Sequence, residues 1–176
     1  IVAARRCKMH YLKLTAPVLL SLALGTVALA GPPLVCHAWV STPGSVFEAL
    51  EPLRSIALEA DDSPANKEKA LAKLAALRAA VKPGDAMSLL KAGYWATAMH
   101  LIGVSPATDG PELIRQAVEL RSDDAEYHVI AAMAYLSSDK AAYQKHWQRA
   151  KALAKPGSAA ARNLPEAGLE RMAGIH

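Results

Sequence analysis

The chain has 176 residues and a formal charge of +4. It contains 37 alanines, and only 5% of its residues are aromatic. Val, Ile and Thr together number only 21, and strands favour β-branched and aromatic residues whereas helices favour alanine, so an all-β fold is excluded. Residues 1–30 hold all of the surplus positive charge, and residues 31–176 carry 16 bases and 16 acids, which excludes the basic surface typical of a nucleic-acid-binding protein.

Residues 1–30 have the three-part pattern of a secretory signal peptide. Four basic residues and no acid come first, 17 uncharged residues follow at 14–30, and the small residues Ala28 and Ala30 complete a cleavage site. The alternative is an uncleaved membrane anchor, although 17 helical residues span about 26 Å of a hydrocarbon core of ~30 Å. In both cases the basic flank stays in the cytoplasm. We therefore expect residues 31–176 in the periplasm, either soluble or held at the inner membrane.

Residues 31–44 are predicted to form a linker that contains Cys36. The only other cysteine, Cys7, lies on the far side of the apolar stretch, so we expect no disulfide within the chain. The pair Cys36-His37 resembles the end of a haem-attachment motif, but that motif needs a second cysteine where Pro33 stands. We interpret Cys36 as a free or intermolecular thiol, and we predict no cofactor and no metal.

Capping residues and Pro-Gly turns divide residues 45–176 into six helices and a short seventh. Ser45 and Glu48 form one predicted capping box, and Asp109 and Glu112 form another. Short loops between successive helices favour antiparallel neighbours, so we predict an all-α fold of about three helical hairpins. The six helices are predicted at about 45–60, 63–82, 85–103, 109–121, 124–136 and 138 or 139 to 156, and a short helix follows from Pro165. Their predicted caps are Ser45, Ser63, Asp85, Asp109, Asp124 and Ser138 or Asp139.

The first two predicted helices carry further local signals. Pro52 is expected to kink or restart the first helix, because proline lacks the N–H that a helix interior needs. In the second helix, apolar residues recur at spacings of three and four and therefore share one face, which we expect to be buried. That face consists of Leu71, Leu74, Leu77 and Val81, and Lys67, Lys69 and Arg78 are expected to face water.

The turns between the predicted helices are related to one another. The sequence KPGDA at residues 82–86 recurs as KPGSA at 155–159 and, more loosely, as RSDDA at 121–125. Each of these segments ends one helix and supplies a cap for the next. When the turns are aligned, Gly93 lies opposite Ala132, and small residues at this position allow two helices to cross closely.

With these turns and small residues, residues 85–156 resemble tetratricopeptide repeats, a family of 34-residue helix-turn-helix units. The match is best at residues 117–135 and continues with Tyr143 and Trp147 in the following helix. It departs from the family pattern by about five extra residues in the loop at 104–110. The resemblance implies stacked helical hairpins, TPR-like in arrangement, whose first helices line a groove for extended peptides or partner proteins.

The turn alignment places the groove of the resembling family on a mostly apolar set of residues. Glu126 supplies its one charge, and two methionines make it adaptable, so the groove suits a partner helix or an apolar segment. The alternative is that the first helix pair or the last helix fills the groove within the chain. The predicted partner-binding residues are Met87, Leu90, Tyr94, Thr97, Glu126, Val129, Met133 and Leu136.

The sequence contains no catalytic motif that we recognise. It lacks a phosphate-binding glycine loop, a serine nucleophile elbow and a His-Glu-x-x-His pair. The acidic pairs at 61–62 and 123–124 stand at helix starts, where carboxylates act as caps. We predict that His128 is a partly buried core residue and that His146 lies at the solvent edge of its helix. The chain is therefore not expected to be an enzyme.

We predict a non-catalytic protein–protein interaction module, either a periplasmic scaffold or an accessory subunit of an envelope complex. Its expected partners are proteins, and the membrane if residues 14–30 are retained. Two alternatives remain open. One is a periplasmic protein that binds a small molecule, haem or a metal. The other is an enzyme of unrecognised type, for which His128, His146 and an acid would lie together in one pocket.

Overall fold

The computed structural model describes residues 39–59, 63–105, 108–136 and 138–164. Within these ranges the chain forms seven helices and no strand, which confirms the predicted all-α class. None of the helices in the described ranges is both long and apolar enough to cross a membrane. The helices are α1 (Val46–Glu59), α2 (Pro64–Ala79), α3 (Ala86–Leu101), α4 (Gly110–Leu120), α5 (Ala125–Tyr135), α6 (Lys140–Leu153) and α7 (Ala159–Asn163).

Several sequence predictions fall outside the described residues. They are the signal or anchor segment at 1–30, Cys36, the acidic pair at 61–62, and the helix expected from Pro165.

Side-chain caps fix most of the helix starts where the sequence predicts them. The Ser45 hydroxyl accepts a hydrogen bond from the Glu48 N–H at 3.1 Å, and the Glu48 carboxylate accepts one from the Gly44 N–H at 2.6 Å. These bonds satisfy amides that have no partner within the helix, which explains why the helix begins there. First-turn amides of the later helices are capped in the same way by Ser63, Asp85, Asp124, Asp139 and Ser158.

The capping box predicted at Asp109 and Glu112 is wrong. The Asp109 side chain makes no capping bond at the start of α4. Its two oxygens instead accept hydrogen bonds from Nη2 of Arg78, at 2.5 and 2.6 Å. Glu112 pairs with Arg115, one turn further along α4, at 2.6 Å. The Asp109 carboxylate therefore pairs with an arginine of α2 and not with an amide of its own first turn.

The first two helices also differ from expectation in detail. α1 runs without a break through Pro52, so this proline does not restart it. On α2 the buried face passes through Ala70 and Leu74, whereas Leu71 is 46% exposed, so its predicted burial is wrong. The Trp95 indole N–H donates to the Ala70 carbonyl at 3.0 Å, and the small Ala70 side chain lets the α2 backbone approach that bulky ring.

Two pairs of consecutive helices pack closely, α3 with α4 and α5 with α6. In the first pair, Gly93 of α3 approaches Ile114, and Thr97, further along α3, approaches the earlier residue Gly110. A later residue of one helix thus meets an earlier residue of the next, and the two helices run antiparallel. Contacts of α5 with α3 and α4 join the two pairs into one core.

The helices α1 and α2 both pack against α3, and α1 also contacts α5. The apolar side chains of Phe47 and Leu50 anchor α1 and are fully buried. α2 packs against α3 with smaller buried side chains, because its buried residues are Ala70 and Leu74. This placement puts α1 across the face formed by α3 and α5.

The segment before α1 is tied to α7 by a pair of hydrogen bonds. The Val40 N–H donates to Oδ1 of Asn163 at 2.7 Å, and Nδ2 of Asn163 donates to the Val40 carbonyl at 2.7 Å. The two residues are 123 positions apart in the chain. Asn163 is fully buried and also donates to the Ala159 carbonyl at 2.8 Å, so its amide joins the two ends of the described domain.

Candidate functional site

The predicted partner-binding residues lie together on α3 and α5, or just after α5, but the chain itself covers most of them. Thr97 and Met133 are less than a tenth exposed, and Glu126 keeps part of its surface. The expected open groove is therefore closed over most of its length in the folded chain. Buried members of the set are Leu90, Tyr94, Thr97, Val129 and Met133, and half-buried members are Met87, Glu126 and Leu136.

α1 and the residues just before it cover Tyr94, whereas Thr97 lies against Gly110 of α4. The Trp39 ring packs edge to face against Tyr94, with ring centroids 5.4 Å apart, and against Phe47 at 5.5 Å. Burial of these large aromatic rings is strongly favourable, so the apolar face of α3 and α5 is better satisfied by α1 than by water. Most of the groove implied by the tetratricopeptide resemblance is thus buried within the described domain, and partner binding by these residues stays a prediction.

Glu126, the one charge of the predicted groove, caps α1. Its Oε2 accepts a hydrogen bond from the Val46 N–H, the first amide of that helix, at 2.6 Å. The negative charge also complements the positive end of the helix dipole. Burial raises the pKa of Glu126, and the bond from Val46 opposes that rise. A side chain expected to bind a partner is therefore used to attach α1 to α5.

Replacing Glu126 by alanine is expected to lower the free energy of unfolding by about 0.5–2 kcal/mol, the usual cost of removing a helix cap. Glu126→Gln should cost less, because its amide oxygen still accepts the Val46 N–H and a neutral group is easier to bury. Chemical denaturation followed by circular dichroism measures both changes. Glu68→Ala, on the exposed face of α2, is the control, and equal losses from alanine and glutamine would contradict the capping role.

An apolar cleft of about 410 Å³ opens where α1 and α2 diverge over α3. Trp95 and Met99 of α3 contribute to its lining, and Ile56 of α1 is 50% exposed beside them. Lys69 and Lys73 stand on its rim, and neither makes an ion pair within the described residues. The residues lining the cleft are Ile56, Glu59, Asn66, Lys69, Ala70, Lys73, Trp95 and Met99.

The structure also brings two histidines together between α5 and α6. Nδ1 of His128 lies 3.0 Å from Nδ1 of His146, and both side chains are buried, at 6% and 7% exposure. The prediction that His128 is a buried core residue is confirmed, whereas the solvent-edge position predicted for His146 is wrong. Tyr135 stacks on the His146 ring with an interplanar angle of 7°, which accounts for its burial.

Hydrogen-bond geometry assigns the tautomers of this histidine pair. Nε2 of His128 lies 3.1 Å from the Ser122 carbonyl oxygen, which can only accept, so Nε2 carries the proton. The Nδ1 of His128 is then an acceptor, and Nδ1 of His146 must donate to it. Burial lowers the pKa of His128. Burial, followed by the neighbouring His128, lowers the pKa of His146 to about 4.

No carboxylate hydrogen-bonds to either ring within the described part of the chain, so the acid expected of an enzyme does not join the two histidines there. The described residues also hold no group of three or more His, Cys, Asp or Glu side chains placed to bind a metal ion. The arrangement is therefore a contact between two helices that can take up protons.

The chain was compared with models of known protein families, with curated proteins and with solved structures. None of the three comparisons gives a match. The functional interpretation therefore depends on the residues and their geometry.

Proposed function

We propose that this chain is an exported, non-catalytic protein–protein interaction module, acting as a scaffold or an accessory subunit of an envelope complex. In this proposal residues 1–30 are a signal peptide or membrane anchor, residues 31–44 are a linker, and residues 45–176 are a TPR-like helical domain. The two antiparallel pairs, α3 with α4 and α5 with α6, support the repeat interpretation. So do the glycines of the repeated turn, Gly84 and Gly157, which have positive φ angles of 77° and 76°.

The observation that carries the proposal is the apolar cleft between α1 and α2. Apolar surface left exposed on a folded domain commonly marks a site of protein association. Ile56, which is 50% exposed, offers such a surface beside the buried Trp95 and Met99, while most of the predicted groove is buried. The cleft is therefore the better candidate for partner binding.

The charges on its rim indicate the chemistry of the partner. Lys69 and Lys73 lie on consecutive turns of α2, both exposed, and the Glu59 carboxylate stands across the cleft on α1. Among the described residues that line the cleft there are two cations and one anion. This balance favours a partner whose apolar anchor residue is flanked by acidic side chains, because opposite charges both speed association and exclude wrong partners. We therefore commit to an acidic segment of a partner protein with one large apolar side chain.

Site-specific photo-crosslinking tests this proposal in cells that make the full chain. A photoreactive residue at Ile56 is expected to form an adduct with the partner, whereas one at Leu71 should not. Leu71 is a matched control, because it is 46% exposed against 50% for Ile56 and does not line the cleft. Mass spectrometry of the adduct identifies the partner, and the mass of the free protein shows whether cleavage occurs near Ala30.

Reversing the charge of the lysines on the rim of the cleft supplies the second control. Reversing both lysines, with Lys69→Glu and Lys73→Glu, should reduce the adduct yield at Ile56 by about tenfold or more. Lys67→Glu lies on the same helix outside the cleft and should leave the yield unchanged. Equal yields at Ile56 and Leu71, no effect of the double reversal, or an adduct with a second copy of the chain would each overturn the proposal.

A further inference from the structure

The histidine pair, His128 with His146, joins the two helices of the last antiparallel pair at their buried interface. The rings come from residues 18 positions apart, on α5 and α6, and each side chain is at least nine-tenths buried. Next to them, Ala132, Tyr143 and Trp147 form a small apolar cluster between the same two helices. The contact between α5 and α6 thus combines a polar bond with an apolar cluster.

The number of protons that this pair can hold in the folded state is limited by geometry. In the neutral pair, His128 donates from Nε2 to the Ser122 carbonyl, and His146 donates from Nδ1 to Nδ1 of His128. One added proton can go to Nε2 of His146 and leave both bonds intact. A second proton must go to Nδ1 of His128, where it would place two N–H donors head to head across 3.0 Å. The doubly protonated pair therefore cannot keep this contact.

The surrounding charges mostly oppose protonation as well. Lys145 and Arg149 of α6 act on His128 as nearby positive charges, and Asp124 at the start of α5 is the opposing negative charge. Lys145 also acts on His146. From α4, the Pro111 carbonyl accepts the Tyr135 hydroxyl, and the Tyr135 ring covers His146, so this neutral phenol adds no charge.

We propose that the His128–His146 pair makes the packing of α6 on α5 sensitive to acid, so that α6 is held in place at neutral pH and opens as protons are taken up. The helices α3 and α4 lack this contact and remain packed under the same conditions. Opening would expose the cluster of Ala132, Tyr143 and Trp147, and so present an apolar surface more often as the pH falls.

The direction of the pH dependence follows from the pKa values. Both histidines have pKa values below the ordinary 6.5 in the folded chain, and that of His146 is about 4. The stability that the neutral pair contributes is therefore complete above about pH 6.5 and is lost as the pH falls from there towards about 4.

Amide hydrogen exchange of the described domain within the full chain tests the proposal. After correction for intrinsic exchange rates, the opening constant of α6 amides should rise by about tenfold or more between pH 7 and pH 5. The α3 amides, in the same molecule, should change much less. His146→Asn keeps a donor near the position of Nδ1 but does not titrate, so this variant should lose most of the difference between the two helices.

A second measurement uses the wild-type chain and therefore does not depend on whether the His146→Asn variant folds. Imidazole nitrogen NMR should show His146 protonated at Nδ1 and His128 at Nε2 at neutral pH, with both rings titrating below the ordinary 6.5. The proposal is overturned by a ring that titrates at 6.5 or above, by both rings protonated at Nε2, or by equal opening of α3 and α6 on acidification.

Discussion

Replacing Phe47 by alanine is expected to lower the free energy of unfolding by about 3–5 kcal/mol, the usual cost of deleting a fully buried aromatic ring. The Phe47 side chain is 0% exposed, lies at the start of α1, and packs edge to face against Trp39 at 5.5 Å. Its loss would leave a cavity in the cluster that holds α1 over α3 and α5. Chemical denaturation followed by circular dichroism gives the change in free energy.

Ile56→Ala provides the control on the same helix. Because Ile56 is 50% exposed, its truncation should change the free energy of unfolding by only about 0.5 kcal/mol. Hydrogen exchange adds a local readout, since the amides of α1 should lose more protection than those of α6 in the Phe47 variant. A Phe47→Ala protein within about 1 kcal/mol of the wild type would show that α1 does not depend on this anchor.

Replacing Gly93 by alanine should also destabilise the fold, by about 1–3 kcal/mol. Helix propensity alone predicts the opposite sign, since alanine in a helix interior is better than glycine by about 0.5–1 kcal/mol. The crowding where α3 and α4 cross is expected to outweigh this gain in helix propensity. A Cβ at Gly93 would lie 2.9 Å from both the Gly110 carbonyl oxygen and the Ile114 nitrogen, which are backbone atoms that only a shift of α4 can move.

Two further variants make the Gly93 measurement decisive. Ala75→Gly, on the exposed face of α2, measures the propensity difference in this protein without any crowding. Gly110→Ala introduces a Cβ 2.6 Å from the Thr97 nitrogen on the other side of the same crossing. Once either alanine has moved α4, the second should cost less, so the double variant should be less destabilised than the sum of the two. A stabilised Gly93→Ala protein would contradict the crossing geometry.

Features set by neighbouring residues were predictable from the sequence. The helix starts at Ser45, Asp85 and Asp124 were found because a cap needs only its own side chain and the next few amides. The close approach at Gly93 was anticipated in the same way, from the position of a small residue relative to a turn. Such signals span only a few positions, and tertiary packing rarely reverses them.

Features that depend on distant residues were not predictable. Asp109 is paired with Arg78, 31 positions earlier, and Glu126 caps Val46, 80 positions earlier. The position of α1 over α3 and α5 follows from such long-range contacts, and the cleft beside Ile56 exists only because α1 and α2 diverge. The buried face of α2 passes through Ala70 and not through the neighbouring Leu71, because the bulky Trp95 ring packs there. The periodicity of α2 alone does not reveal this contact.

The histidine pair is an intermediate case, because a signal for it was present. His128 and His146 are equally distant from residue 137, in the loop between α5 and α6. In an antiparallel pair of helices, residues equidistant from the turn lie opposite one another. Applying this register to the predicted hairpin would have placed the two rings together. It would not have given the burial of His146, on which the ring of Tyr135 stacks.

The two hydrogen bonds between Val40 and Asn163 give the described domain a mechanical property that an open helical solenoid lacks. A force that pulls the chain apart at these two residues is shared between their paired bonds and the packed helices, so the bonds must break before the two ends can separate. Each bond contributes only about 0.5–1.5 kcal/mol, but a single side-chain amide makes both, so they yield together. The domain should therefore resist extension until these two bonds break, whereas a repeat array with free ends extends one unit at a time.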